Sequence, residues 1–233
     1  MNGASATSPA GLVSGSAQEA LHRPEAPFRP FQEVTMHTVK SSADTVGNSV
    51  TVPAPGVPLE DVLRDGTHVQ IRPIHPDDVE LERRFIEALS PSSRRFRFLE
   101  TMHSPSPALL KQMTVINPST DAAYVALLGT GAQTVEIGVA RFSARADGLD
   151  CEFAVTVSDE WQHKGLGTLL MRRLIDVARE RGIKKMHSSD AADNGLMRKF
   201  AEHLNFHHVR DPDDSTLVLY SVDLGSPEAS GTR

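Results

Sequence analysis

Gly165 and Gly167 close the stretch WQHKGLG (161–167), where an apolar run gives way to a leucine-rich one. Glycines at a strand-to-helix junction let something approach the backbone closely. The first N–H groups of a helix lack partners within it, and the helix dipole adds partial positive charge there. Without side chains at 165 and 167, those N–H groups are open to an anion, best of all a pyrophosphate that spans several amides. The same glycines would serve equally well in a loop that merely turns the chain, and a lone G-x-G does not separate the two. Two nucleotide loops fail on their residues. The G-x-x-x-x-G-K-[ST] pattern is absent, and a dinucleotide fingerprint needs a third glycine where this chain has Leu170.

Other reactive side chains carry less. Cys151 lies between Asp150 and Glu152, a setting that opposes thiolate formation, and reads as an ordinary strand residue. The ten histidines lack zinc-type spacing, so no metal is expected, and His207–His208 reads as surface. SSRRFRF (92–98) mixes arginine with aromatics. It is read as a helix that partly packs Phe96 and Phe98 and leaves its arginines in solvent, rather than as an RNA contact.

These residues need elements to hold them. CEFAVTV (151–157) reads as the strand entering the glycine loop, and GLGTLLMRRLIDVARERG (165–182) as the helix leaving it. In that helix Leu166, Leu169, Leu170, Leu174, Val177 and Ala178 make one apolar stripe, and Gly182 stands at the expected stop. Upstream, THVQIRPI (67–74) alternates with Val69 and Ile71 on one face, which predicts a strand. HPDDVELERRFIEAL (75–89) starts with helix-initiating proline and aspartates and carries a stripe of Val79, Leu81, Phe85, Ile86 and Leu89. SPSSRRFRFLE (90–100) and SPALLKQMTVI (106–116) predict two more helices. DAAYVALLG (121–129) and QTVEIGVARFSA (133–144) predict a hairpin turning at Gly129–Gly131, extended by 151–157. A strand at 184–190, a helix at 194–204 and a strand at 215–222 complete the chain. The order predicts a mixed α/β (α+β) fold, a largely antiparallel central sheet flanked by helices, without internal repeats.

Composition bounds what this fold could do. Residues 1–60 are small, polar and proline-broken and cannot bury enough apolar surface to offset chain entropy. We therefore expect a disordered, low-complexity tail at 1–60, one domain over 61–225 and a short flexible tail at 226–233. A net charge of −6 is unlike a basic nucleic-acid footprint. No run approaches the roughly 18 apolar residues of a membrane span, and the N-terminus lacks the apolar core of a signal peptide. The single cysteine precludes an internal disulfide and suits a reducing cytoplasm, the expected location.

The stretch VTVSDEWQHKGLGTLLMRRLIDVAR (155–179) resembles the acyl-CoA-binding motif of the GNAT superfamily of N-acetyltransferases, Q/R-x-x-G-x-G/A after a strand. Gln162, His163, Lys164, Gly165, Leu166 and Gly167 fill it. Downstream, NGLMRKFAEHLNF (194–206) is similar to the superfamily's asparagine-to-phenylalanine segment, with Asn194, Glu202, Leu204 and Phe206 in register. The two motifs follow in the right order at the right separation. The head, IRPIHPDDVELERRFIEALSPSSRRFRF (71–98), resembles the bacterial protein-lysine acetyltransferase branch.

That resemblance implies a site. Acyl-CoA would lie between two splayed strands, its pantetheine along backbone of Ala154, Val155 and Val157. N–H groups of 162–168, through Thr168, would hold the pyrophosphate, and Asn194 would bond the arm's end while capping its own helix. Acetyl-CoA is the implied cosubstrate. The acceptor would be a protein lysine or, alternatively, a small amine; a non-catalytic acyl-CoA sensor is a further alternative. A lysine amine, with ordinary pKa near 10.4, must lose a proton before attacking a thioester. Glu152, in a matching E-F-A run, would be the general base, and the N–H of Val155 would polarise the carbonyl. One departure stands out: Ala201 occupies the position where many members place the tyrosine that protonates the leaving thiolate. A thiol of pKa near 8.5 could leave unassisted or through water.

Overall fold

The computed structural model describes residues 59–225, so the expected tails lie outside the described residues except for Leu59 and Glu60. Those two open β1 (Leu59–Val62), which pairs antiparallel with β2 (His68–Pro73) from Leu59↔Ile71 to Val62↔His68. The sheet thus begins two residues ahead of the expected boundary. Proline spacing made this segment look unstructured. A short edge strand needs little apolar pattern of its own when β2 supplies the buried Val69 and Ile71.

Local chemistry sets the helix starts. A 3-10 turn at Pro76–Asp78 leads into α1 (Val79–Ala88), with the Asp78 carboxylate accepting from the His75 N–H at 2.7 Å. α2 (Pro91–Phe98) and α3 (Pro107–Thr114) both begin Ser-Pro. The Ser90 and Ser106 hydroxyls accept from the N–H groups of Ser93 and Leu109 at 3.1 and 3.2 Å, and proline occupies the first turn, where its missing N–H costs nothing.

β3 (Asp121–Leu128), β4 (Val135–Ala144) and β5 (Asp150–Val157) form an antiparallel meander. α4 (Leu166–Glu180), β6 (Lys185–Ala191), α5 (Gly195–His203), β7 (His207–Arg210) and β8 (Leu217–Asp223) follow. The eight strands make one sheet in the order β1-β2-β3-β4-β5-β6-β8-β7, antiparallel at every pairing except β5–β6. The mixed, largely antiparallel fold expected from the element order is the one found. β7 had no alternating apolar signal; its four residues are all exposed at the sheet edge.

The sheet is covered on both faces. Phe142, Phe153, Leu170, Met171, Leu174 and Tyr220 anchor one core beneath α4 and α5, while Ile86, Met113, Val125 and Val139 anchor the other beneath α1 and α3. In α4 the buried set is Leu166, Leu170, Met171, Leu174, Ile175 and Ala178, with Leu169 and Val177 on its flank. The helix runs out at Gly182, whose φ of +78° suits glycine.

Candidate active site

β5 and β6 are paired over only three residues, Asp150↔Lys185, Cys151↔Met186 and Glu152↔His187. Both strands continue, to Val157 and Ala191, so the sheet forks beyond Glu152 and His187. β5 meanwhile stays on β4 down to Gly138↔Val157. Antiparallel pairing alternates the residues whose backbone faces the partner. Asp150 O accepts from Arg145 N at 2.9 Å and Ser158 N donates to Ile137 O at 3.0 Å, so even-numbered residues of β5 spend their backbone groups on β4. Phe153, Val155 and Val157 turn theirs into the fork. Ala154, grouped with Val155 and Val157 in the sequence reading, directs its backbone to β4 instead.

A cleft of about 380 Å³ fills the fork, a size suited to a small-molecule arm. Val155 and Val157 form one wall and Asp190 the other. Gln162, His163, Gly165, Gly167 and Thr168 close one end, Asn194, Met197 and Phe200 of α5 cover one side, and Phe96 and Arg97 of α2 the opposite side. Glu152, Ala154, Lys164 and Leu166 do not line it; Leu166 is buried in the core.

The loop before α4 is built for close approach. Gly165 has φ +91° and His163 φ +62°, left-handed conformations of the kind that gather successive N–H groups into a concavity. A Cβ on Gly165 would stand 3.3 Å from Arg64 Nε, and one on Gly167 would touch the Phe200 ring at 3.4 Å. The first intrahelical bond runs from Leu169 N to Gly165 O at 3.0 Å, so the N–H groups of 166–168 have no carbonyl a turn behind them. Gln162 Nε2 donates to Val157 O at 3.3 Å, pinning the loop to the strand. The β1–β2 hairpin braces it from outside: Arg64 N donates to Lys164 O at 3.4 Å, and Lys164 Nζ pairs with Asp65 at 3.0 Å and lies 4.5 Å from the Trp161 ring. Nothing in the glycine motif points a hundred residues upstream to Arg64, so sequence reading missed it.

α2 lies across the mouth of the fork, fastened to both strands' ends. The Ser90 N–H (2.9 Å) and the hydroxyls of Ser90 and Ser93 (2.7 Å each) donate to the carboxylate of Asp159, just beyond β5. Arg95 Nη2 pairs with Asp193, just beyond β6, at 2.6 Å. This places the half-buried Arg97 inside, where desolvation first, and then Arg141, depresses its pKa to about 10.

Two carboxyls flank the fork. Glu152 stands at its base, accepts no hydrogen bond from the described residues, and is pushed up to about 7 by burial, against the pull of Arg97 and Arg145. Asp190 is pushed up to about 6, again by burial, although Asn194 Nδ2 (3.0 Å) and the Ala191 N–H (2.6 Å) donate to it. Asn194 caps α5, its Oδ1 accepting from Met197 N at 3.1 Å. Asp190 was not singled out from sequence; the available signal was its place at a strand end four residues before Asn194. Cys151 is fully buried and its thiol is pushed up to about 12 by desolvation, which makes it inert. Among the described residues no helix is long and apolar enough to cross a membrane, and no group of three or more metal-ligating side chains stands together.

A forked sheet with a glycine cradle at one end of the gap is the arrangement that the resemblance to acyl-CoA-dependent transferases implied, and comparison with known proteins assigns the class. The model of the acetyltransferase (GNAT) family matches residues 94–206. An acetyltransferase of Pseudomonas aeruginosa is 46% identical over 162 residues, covering 70% of this chain and 87% of that protein. Acetyltransferase Pat of Mycolicibacterium smegmatis is 29% identical over 168 residues; the chain spans about half (49%) of that longer relative. The crystal structure of the GNAT domain of S. lividans PAT superposes with a TM-score of 0.66 at 26% identity, covering 71% of this chain and 96% of that one. The chain belongs to the GNAT family of acetyltransferases.

Proposed function

We propose that the domain from β1 to residue 225 transfers an acetyl group from acetyl-CoA to an amine, with a protein lysine side chain as acceptor. The observation that carries the reading is the cleft that runs from the glycine loop past the fork-facing backbone of Val155 and Val157, in the fork at whose base Glu152 stands. The cradle receives the pyrophosphate, since Gly165 and Gly167 keep side chains away from the N–H groups at the start of α4. Gln162, His163, Lys164, Leu166 and Thr168 supply backbone there, Lys164 from a side chain already engaged by Asp65. Val155 and Val157 pair with the pantetheine amides in the manner of an added strand, while Ala154 is spent on the pairing with β4 that holds this strand in place. Asn194 retains one amide hydrogen for the end of the arm after bonding Asp190.

Chemistry follows from charge. Glu152 is half-buried and ionises only as pH approaches about 7, so its carboxylate is a base matched to neutral pH. It takes the first proton from the acceptor ammonium, directly or through water. The Val155 N–H, aimed into the fork, stabilises the negative charge that develops on the thioester oxygen. The lysine preference is supported by the resemblance of residues 71–98 to the protein-lysine branch, and α2, which ends that segment, lines the cleft through Phe96 and Arg97. The buried, protonated thiol of Cys151 suits a reducing cytoplasm.

The test is acceptor-dependent thiol release from acetyl-CoA over a panel of proteins and small amines, with mass spectrometry of the products. Acetylated lysines on proteins support the reading. Products confined to small amines replace the acceptor class, and tight acetyl-CoA binding without release makes the protein a sensor.

A further inference from the structure

Resting on the acetyl-transfer reading, the geometry points to Asp190 as the group that carries a proton to the departing coenzyme A sulfur. Ala201, where a tyrosine acid would be expected, is 1% exposed and packed in the core among α4 and α5, so that position offers the cleft nothing. Asp190 is the only carboxylate among the residues lining the cleft. Asp190 lies three residues past His187 and Val155, whose N–H faces the fork, three past Glu152, the last pair before the strands part. The cofactor arm runs from the cradle toward the base of the fork, so its thioester end reaches the zone that Glu152 and Asp190 bracket.

The other cleft-lining groups that can hold a proton lie elsewhere. His163 belongs to the phosphate loop, while Lys199 and His203 sit one and two turns farther along α5 than its Asn194 cap. His187 is at the fork but does not line the cleft, and burial lowers its pKa. The charges around Asp190 are Arg97 and Arg95 of α2 and Asp193 of the following loop, with the Tyr220 ring of β8 nearby. Burial, the main influence on Asp190, brings it to about 6. A carboxyl of that pKa accepts a proton from an acidic alkylammonium and gives it up to a thiolate whose thiol titrates near 8.5.

Glu152 removes one proton from the acceptor ammonium, and the neutral nitrogen forms the C–N bond to the acetyl carbon. That nitrogen is now positively charged and passes a second proton to the Asp190 carboxylate. The C–S bond breaks, sulfur keeps the electron pair, and Asp190 returns its proton to sulfur. Coenzyme A leaves as the thiol, the amide nitrogen is neutral, and Glu152 loses its proton to water.

The experiment compares acetyl-CoA with its selenoester analogue, whose selenol is far more acidic than the thiol, so that the selenolate leaves without a proton. Asp190→Asn should lower kcat with acetyl-CoA by roughly a hundredfold, the scale of one general acid. With the selenoester the gap to the unmodified protein should close to within about threefold, acetyl-CoA affinity holding within the same factor. Asp190→Glu, which keeps the carboxyl, should recover part of the loss and separates proton transfer from damage to the Asn194 cap. Equal losses on both donors would make Asp190 a positioning residue for Asn194 and overturn the proposal, as would undiminished kcat with acetyl-CoA. Absence of turnover in the unmodified protein would instead overturn the acetyl-transfer reading, and this proposal with it.

Discussion

Carboxyl groups are desolvated near arginines in two regions, the fork between β5 and β6 and the core beneath α1. At the fork, Glu152 and Asp190 are raised to about 7 and about 6, both by burial. Beneath α1, Glu136 is raised well above the ordinary carboxylate range by the same cause, reinforced by the neighbouring Glu82. Glu82 and Glu136 are 0% and 3% exposed; Arg141, itself 3% exposed, reaches Glu82 at 3.4 Å and gives its better bond, 2.9 Å, to Met113 O. Neither Glu136 oxygen has a partner among the described residues. Desolvation alone therefore does not mark a catalytic group. Asp190 lines the cleft and Glu152 stands half-buried at the base of the fork, whereas Glu82 and Glu136 are sealed in the core.

The largest effect expected from breaking this contrast is at Glu152. Glu152→Gln should lower turnover by about 10²- to 10⁴-fold, with acetyl-CoA affinity changed less than about threefold. In the unmodified protein, kcat/KM should rise with pH through about 7, because the basic form of Glu152 exists above that value. The variant should lose this limb, and thiol release measured across pH reads both effects.

In the sealed core beneath α1, Arg141→Leu should cost about 3–5 kcal/mol of unfolding free energy, because it strands a buried Glu82 charge. Denaturant unfolding checks it. Turnover per folded molecule should fall far less than in Glu152→Gln, since Arg141 bonds Glu82 and Met113 O and reaches the fork only through its charge on Arg97; a turnover loss comparable to that of Glu152→Gln would mean that the two regions are not separate.

What sequence made legible divides along the same line. The apolar stripe of α4, the Ser-Pro helix starts and the alternation of β2 are local patterns, so the elements and the order of the fold followed from them. The glycine loop and Asn194 carry their geometry in neighbouring residues. The fork does not: it exists because β5–β6 pairing ends at Glu152↔His187, a tertiary fact absent from either strand's composition. Asp190, Arg97 and Arg64 reach the site from β6, α2 and the β1–β2 hairpin, and only the assembled sheet brings them together. The burial of Glu82, Glu136 and Arg141 has no local sequence signal either; it depends on α1 lying on β4.

A smaller effect should appear in the cradle. Gly165→Ala forces an L side chain to φ +91° and against Arg64, at a cost of about 1–2 kcal/mol, and should weaken acetyl-CoA binding roughly tenfold. In Gly167→Ala the new methyl group meets only ordinary contact with Phe200, so the fold should hold and the loss should fall on the ligand alone. Calorimetric binding and thermal unfolding of both variants distinguish strain in the loop from exclusion of the phosphate. Equal unfolding penalties would show that the left-handed turn is not what requires glycine at 165.

The mildest and most diagnostic change is Glu136→Gln. A carboxyl whose pKa is raised on folding favours the folded state while protonated, so its stabilising protonation is complete below the unfolded value of about 4.5. As pH rises above that, the unfolded chain ionises first, and stability falls until the folded pKa is passed. Glutamine cannot ionise and escapes this loss. The variant should therefore match the unmodified protein at acid pH and exceed it by at least about 1 kcal/mol, one pKa unit's worth, at neutral pH. Denaturant midpoints measured at several pH values read the difference. A gap independent of pH would mean that Glu136 is ionised in the core, with Arg141 shared between two carboxylates. The sealed region would then be a charged network, and its contrast with the fork would rest on access alone.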